Sequence, residues 1–140
     1  MGSQISSWTG SLEEARGFEM NHQVELPEDE IMQMIEKVGE RQYRFKERGE
    51  TRNYNKEFKK LQALMLELKS RPGDKRVLLK RHYGHPNIKV WLNAATHTLV
   101  VAPEEARAQL QAIAETKFYP YAGEAGMRLH HLDTGFYRPT

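Results

Sequence analysis

The sequence contains no cysteine, and this absence removes several kinds of chemistry at once. Without a thiol the chain has no disulfides, no thiolate zinc site and no cysteine nucleophile, which fits a reducing compartment. No apolar run approaches the roughly 18 residues of a membrane span, and the N-terminus has no apolar core of a secretory signal. We therefore expect a soluble protein, or one attached to a membrane from outside.

Motifs of catalysis are scarce as well. The pair Gly123-x-x-Gly126 lacks the following Lys-Ser or Lys-Thr of a phosphate-binding loop, and no serine lies in a nucleophile elbow. His82-x-x-His85 has a spacing that metal sites use, and His130 or His131 would complete it. Histidines in such turns are usually solvated, however. We predict a protein that is not an enzyme, with no catalytic residue, no metal and no cofactor.

Charge is distributed very unevenly along the chain. Residues 1–40 carry nine acids and two bases, a net charge of −7, whereas residues 41–90 carry fifteen bases and five acids, a net charge of +10. Residues 91–140 are nearly neutral, and the whole chain has a net charge of +2. This segregation indicates an anionic partner for the middle third, or self-association through complementary surfaces. The simplest alternative is a solvated basic helix face beside an acidic arm.

The first seven residues, MGSQISS, match the myristoylation pattern M-G-x-x-x-[ST] through Gly2 and Ser6. Only glycine offers the transferase an unhindered α-amine at that position, so Gly2 is the predicted lipidation site. Met-Gly-Ser is also a common cloning remnant, and this alternative stays open. Residues 1–26 are otherwise acidic and mixed, and we interpret them as an N-terminal arm.

Two long helices are predicted from apolar residues that recur every three or four positions. Pro27 begins the first helix, and Gly49 is a plausible cap at its end. The second helix lies in Glu50–Ser70, and because the connection is short, an antiparallel hairpin is predicted. The stripes of the two helices are Ile31, Ile35, Val38, Gln42 and Phe45, and Tyr54, Phe58, Leu61, Met65 and Leu68. A coiled-coil dimer is the rival interpretation.

Short β-like segments are predicted after the turn at Arg71–Asp74. Arg76–His82 is rich in Val and Leu, Ile88, Val90 and Leu92 alternate with polar neighbours, and Thr96–Val101 alternates as well. These segments predict a three-stranded antiparallel meander. Pro103 then begins a third helix that ends near Phe118.

The predicted fold class is therefore α+β, with a helical hairpin, a meander and a third helix in one small domain. We divide the chain into an acidic arm (1–26), a core domain (27–118) and an aromatic C-terminal tail (119–140). The tail shows no regular period, and we interpret it as a segment that packs by its aromatic residues or binds a partner.

Basic side chains of the middle third form the predicted anion-binding site. One group lies within thirteen residues around the turn, and a second group lies on the first helix. The residues are Lys69, Arg71, Lys75, Arg76, Lys80, Arg81, Arg41, Arg44, Lys46 and Arg48.

Three functions fit these features. The first is a peripheral membrane scaffold or adaptor at the inner, cytoplasmic face of a membrane, anchored by myristoyl-Gly2 and the basic patch. This layout is similar to that of viral matrix proteins, although no motif carries the similarity. The second is a nucleic-acid-binding accessory protein, since RNA phosphates would suit the same bases and Tyr43, Tyr54, Tyr83 and Trp91 would be available for stacking. The third is a plain protein-interaction module, and a protein partner or a homo-oligomer fits any of the three.

Overall fold

The computed structural model describes residues 25–140, and all its regular elements are helices. The predicted α+β fold is therefore wrong, because no residue in this range lies in a β-strand. Gly2 and nearly all of the predicted acidic arm lie outside the described residues. No helix within residues 25–140 is long and apolar enough to cross a membrane.

The chain divides between Arg71 and Pro72 into two compact units, which are described separately. The first unit contains α1 (Glu28–Glu47) and α2 (Thr51–Ser70), which pack against each other. α1 begins directly after Pro27 and carries three acids in its first turn, where they interact favourably with the positive end of the helix dipole.

The buried face of α1 is the one that the apolar period predicts. Ile31, Ile35, Val38 and Gln42 are almost fully buried, and Phe45 is half-buried.

The buried face of α2 differs from the predicted stripe at one position. Leu61, Met65 and Leu68 are buried as predicted, and Leu64 beside them is buried as well. Phe58 is 44% exposed, whereas its neighbour Glu57 is 4% exposed and takes the inward position. Glu57 is held there by the Nε of Arg41 at 2.9 Å and the Nζ of Lys60 at 3.1 Å. Two cationic partners therefore make it possible to bury a carboxylate and leave a phenylalanine outside.

The connection between α1 and α2 is a Schellman turn. Gly49 has a φ of +68°, the Glu50 N–H donates to the carbonyl of Phe45, and the Gly49 N–H donates to the carbonyl of Lys46. This geometry satisfies carbonyl groups at the end of α1 and allows the chain to reverse within four residues.

The second unit contains a 3-10 helix (Lys75–His82) followed by three α-helices. These are α3 (Ile88–His97), α4 (Pro103–Glu115) and α5 (Tyr121–Thr134). α3 packs against the 3-10 helix and against α4, and α4 packs extensively against α5.

All three predicted strands are replaced by helical turns. Asp74 caps the 3-10 helix, because its side chain accepts a hydrogen bond from the Arg76 N–H. Asn87 caps α3 by accepting from the N–H groups of Lys89 and Val90. Because a helix begins directly after Asn87, the apolar residues that follow are buried in α3 and not in a sheet.

The third predicted helix corresponds to α4, which buries Ala106, Leu110 and Ile113. The segment with no visible period contains α5, which buries Tyr121, Ala122 and Ala125 and ends at Gly135 with a φ of +77°.

Gly49→Ala is expected to lower the free energy of unfolding by roughly 1 kcal/mol, because an alanine adopts a left-handed conformation only with strain. Space is not the cause, since a Cβ at Gly49 would have no neighbour within 4 Å. Gly126→Ala, inside α5, is the matched control and is expected to leave stability unchanged or to raise it. Urea denaturation of both variants measures the difference. Equal effects at the two positions would contradict this account of the turn.

Candidate anion-binding surface

Three of the six residues in the predicted basic group around the turn are paired with acids. The Nε of Arg71 lies 3.1 Å from Glu67, and Arg71 is buried. In the second unit the Nζ of Lys80 lies 2.8 Å from Glu105, and this hydrogen bond raises the pKa of Lys80. These two cations are therefore engaged within their own units.

Arg76 is the most strongly engaged of the predicted residues. Its Nε donates to Asp74 at 2.8 Å, its second nitrogen donates to the other carboxylate oxygen at 2.6 Å, and its side chain is 9% exposed. A bidentate and buried pair of this kind holds the guanidinium away from external ligands. Lys69 and Arg81 are exposed and Lys75 is half-buried, so the group keeps only part of its cationic surface.

The predicted group on α1 is more open. Arg41 is bound to Glu57, and a nitrogen of Arg48 lies 4.0 Å from Glu50. Arg44 and Lys46 are exposed, and the Nζ of Lys46 lies 5.6 Å from the centre of the Tyr54 ring. The last turn of α1 therefore presents cations to solvent.

The outward side of α2 adds a larger cationic surface, of which the sequence-based site included only Lys69. Its exposed cations recur at helical spacing, and among residues 25–140 no acidic side chain pairs with Arg52, Lys56 or Lys59. The same side carries two amides and two apolar side chains, and we name these eight residues the α2 surface. Its members are Arg52, Asn55, Lys56, Phe58, Lys59, Gln62, Leu66 and Lys69.

No exposed position of α2 carries an acid. The acids of α2 are Glu57, which is buried, and Glu67, which is half-buried and bound to Arg71. The surface extends from Arg52 to Lys69, about 25 Å along a helix that rises 1.5 Å per residue. It is thus a continuous basic face along one helix of the hairpin.

Apolar side chains interrupt the cations of the α2 surface. Phe58 is 44% exposed and Leu66 is 60% exposed, and the two residues lie on the same side of the helix, eight positions apart. A purely hydrophilic partner would gain nothing from either side chain. The surface therefore combines long-range electrostatic attraction with two short-range apolar contacts.

The sequence contained the signal for this surface, because the lysines of α2 fall on its polar side. The prediction gave more weight to the dense run of bases around Arg71–Arg81, where sequence density concealed internal ion pairs. It also placed Phe58 in the core, so the prediction missed one of the two apolar side chains of the α2 surface.

The histidines singled out in the sequence lie in the second unit. The His82 and His85 rings are 5.9 Å apart between centroids, and the His85 Nδ1 accepts a hydrogen bond from the Asn87 N–H. The His131 ring lies 4.6 Å from that of Phe136. His85 thus supports the turn before α3, and His131 contacts the residues after α5.

Comparison with known proteins identifies the family of the chain. No curated protein matches the chain. The crystal structure of the protein RPA1889 from Rhodopseudomonas palustris CGA009 is similar, with 36% sequence identity and a TM-score of 0.81 over 83% of this chain and 96% of that one. Residues 29–133 match the family described as a domain of unknown function, DUF2019. The chain belongs to this family.

Proposed function

We propose that the protein is a non-enzymatic peripheral membrane module that docks on acidic lipid headgroups through the α2 surface. The observation that carries the proposal is the composition of this surface, with four exposed cations, no exposed acid and two exposed apolar side chains. Cations attract the headgroups, and Phe58 and Leu66 enter the boundary between headgroups and acyl chains.

The expected affinity of the α2 surface alone is modest. Four cations at about 1 kcal/mol each contribute roughly 4 kcal/mol, which corresponds to a Kd of about 1 mM. Burying the exposed parts of Phe58 and Leu66 adds on the order of 1 kcal/mol each. The surface therefore gives reversible docking, and stable attachment needs a second anchor.

Myristoyl-Gly2 is the anchor that the sequence predicts. A single myristoyl chain gives only marginal membrane binding. The lipid and the basic surface together would therefore give the stable attachment that neither gives alone. Mass spectrometry of the protein produced in eukaryotic cells tests this part separately. An unmodified N-terminus would remove the anchor and leave docking through the α2 surface alone.

Charge reversal on α2 tests the docking surface. Lys56→Glu/Lys59→Glu should reduce binding to phosphatidylserine-containing vesicles at least about tenfold, because two attractions become two repulsions. Lys37→Glu/Arg138→Glu is the matched control, since it changes net charge by the same amount at exposed positions outside the α2 surface. Vesicle co-sedimentation of the two variants compares them. Equal losses would show a response to net charge only and would overturn the assignment to α2.

Nucleic-acid binding is a second candidate, which the two amides favour. Asn55 and Gln62 lie among the cations of the α2 surface, and such side chains donate to phosphates and base edges. This candidate leaves the exposed Leu66 without a role, and we therefore place it second. Titration with single-stranded RNA at two salt concentrations tests it. Tight binding that falls steeply with salt, without vesicle binding, would favour RNA over the membrane.

A further inference from the structure

Cations of both helices of the hairpin meet on one side of it, beside the buried carboxylate of Glu57. One carboxylate oxygen binds the Nε of Arg41 at 2.9 Å, and the other binds the Nζ of Lys60 at 3.1 Å. Arg44 lies three positions after Arg41 and Lys56 lies four positions before Lys60, so each is on the same side of its helix as its partner. We name Arg41, Arg44, Lys56 and Lys60 the Arg41 cluster.

The guanidinium of Arg41 is fixed at its Nε and open at its other end. The Nε donates to Glu57, whereas the two terminal nitrogens have no hydrogen-bond partner among residues 25–140. They are not buried either, and the side chain is 32% exposed. A guanidinium in this state can bind two oxygens of one external ligand through its terminal nitrogens.

Glu57 acts as a positioning residue for the cluster. Long cationic side chains lose rotamer freedom when they bind a ligand, and this loss weakens binding. Because Glu57 already holds Arg41 and Lys60 in the folded protein, part of that loss does not recur on binding. Arg52 and Lys59 on the α2 surface have no ion pair of this kind among the described residues.

Two exposed acids of α1 lie near the cluster in sequence, and neither forms an ion pair with it in the described part of the chain. Glu47 accepts a hydrogen bond from the hydroxyl of Tyr43 and thereby raises the pKa of Tyr43. Glu40 is exposed and lies one turn before Arg44. The four cations of the cluster, less the buried Glu57 and the exposed Glu40, have a net charge of +2.

We infer that the Arg41 cluster binds a phosphomonoester group, with the terminal nitrogens of Arg41 donating to two of its oxygens. Such a group carries a charge of roughly −1.5 to −2 near neutral pH and has three strong acceptor oxygens. Its charge thus matches that of the site. A phosphodiester, with a single negative charge and two free oxygens, would leave about half of the positive charge uncompensated, and we therefore place nucleic-acid backbone second.

Two sources carry this chemistry, a soluble phosphorylated molecule and a phosphorylated lipid headgroup. The lipid source rests on the proposed function, because Lys56 also belongs to the α2 surface and a headgroup that projects from the bilayer would reach the cluster beside it. The soluble source does not depend on membrane docking. The two therefore need separate measurements.

Calorimetric titration of the full chain with inositol hexakisphosphate tests the site without a membrane. Arg44→Gln should weaken binding about tenfold, the equivalent of one lost contact between a charged donor and a phosphate. Lys46→Gln is the matched control and should have little effect, since it removes the same charge from an exposed position about 200° around α1. Equal losses would show a response to net charge only and would overturn the inference.

Arg41→Lys tests the bidentate contact. A lysine keeps the charge and can still pair with Glu57, but it lacks the planar fork of a guanidinium. Inositol hexakisphosphate should bind this variant about tenfold more weakly, with a melting temperature close to that of the wild type. Unchanged binding would contradict the role of Arg41. A wild-type chain that binds no inositol hexakisphosphate at about 1 mM and low salt, or that binds single-stranded RNA more tightly, would overturn the inference as a whole.

Vesicles identify the source of the phosphate. Phosphoinositide-containing vesicles are compared with phosphatidylserine-containing vesicles of equal surface charge. A preference for the phosphoinositide that Arg44→Gln removes would assign the site to a lipid headgroup, and equal binding to both vesicles would assign it to a soluble ligand. Phe58→Ser/Leu66→Ser should leave inositol hexakisphosphate binding unchanged, so failure of the membrane proposal and failure of this inference are distinguishable.

Discussion

Leu61→Ala is expected to lower the free energy of unfolding by roughly 2–5 kcal/mol, the range for a leucine truncated in a closed core. Leu61 is 2% exposed and lies on the buried face of α2. Truncation removes three carbon atoms from contact with their neighbours and leaves a cavity that the backbone of α2 cannot fill without bending. Because domains of this size are stable by only about 5–15 kcal/mol, the variant is expected to be partly unfolded or prone to precipitate.

Leu66→Ala supplies the matched control for this prediction. The substitution is the same and the residue lies on the same helix, but Leu66 is 60% exposed. Leu66→Ala should change the free energy of unfolding by no more than about 0.5 kcal/mol, as most surface substitutions do. Urea denaturation of both variants measures the difference. A similar loss at both positions would mean that α2 is not oriented as described.

The second large effect concerns the pH dependence of stability. Burial lowers the pKa of His97 from its ordinary value of 6.5 to about 4, and the charges of Arg128, Arg76 and Lys89 act in the same direction. These cations come from α5, the 3-10 helix and α3, and their charges add to the effect of burial within the second unit. Protonating His97 in the folded state is therefore unfavourable.

The sign of the effect follows from proton binding. Between pH 6.5 and 4 the unfolded chain protonates His97 and the folded chain does not, so stability falls as the pH falls. A shift of this size amounts to about 3 kcal/mol, complete near pH 4. His97→Gln should remove this part of the slope. Thermal denaturation of both proteins from pH 7 to pH 4 measures the slope. Parallel curves would contradict a neutral His97 in the folded state.

The long helices could be predicted because their signals are local and regular. The start after Pro27, the cap at Gly49 and the apolar period of α1 all appear in the structure at or next to their predicted positions. The exchange of Glu57 for Phe58 could not be predicted from the period. It depends on Arg41, sixteen residues away, whose position becomes known only when the hairpin forms.

The strands were predicted wrongly because a short apolar run fits two periods. Ile88, Val90 and Leu92 alternate as in a strand, but Ile88, Leu92 and Ala95 also share one face of a helix. The decisive signal was Asn87, whose side chain caps two N–H groups of α3. A cap residue before an ambiguous run therefore deserves more weight than β-branched composition.

The candidate site shows what charge density in a sequence conceals. The bases around the turn are the densest in the chain, yet Arg71, Arg76 and Lys80 each contact an acid. The bases of α2 are more dilute but fall on one side of a helix that exposes no acid. Pairing between distant residues decides which cations remain for a partner, and a linear count cannot show it.

Binding of a Phe58→Ser/Leu66→Ser variant to phosphatidylserine-containing vesicles tests the central claim most directly. Both side chains are exposed, so the fold should be preserved, and every cation of the α2 surface remains. If the surface docks on a bilayer with its apolar residues inserted, vesicle binding should fall by about tenfold or more, the equivalent of two partly buried side chains. Vesicle binding equal to that of the wild type would contradict the claim.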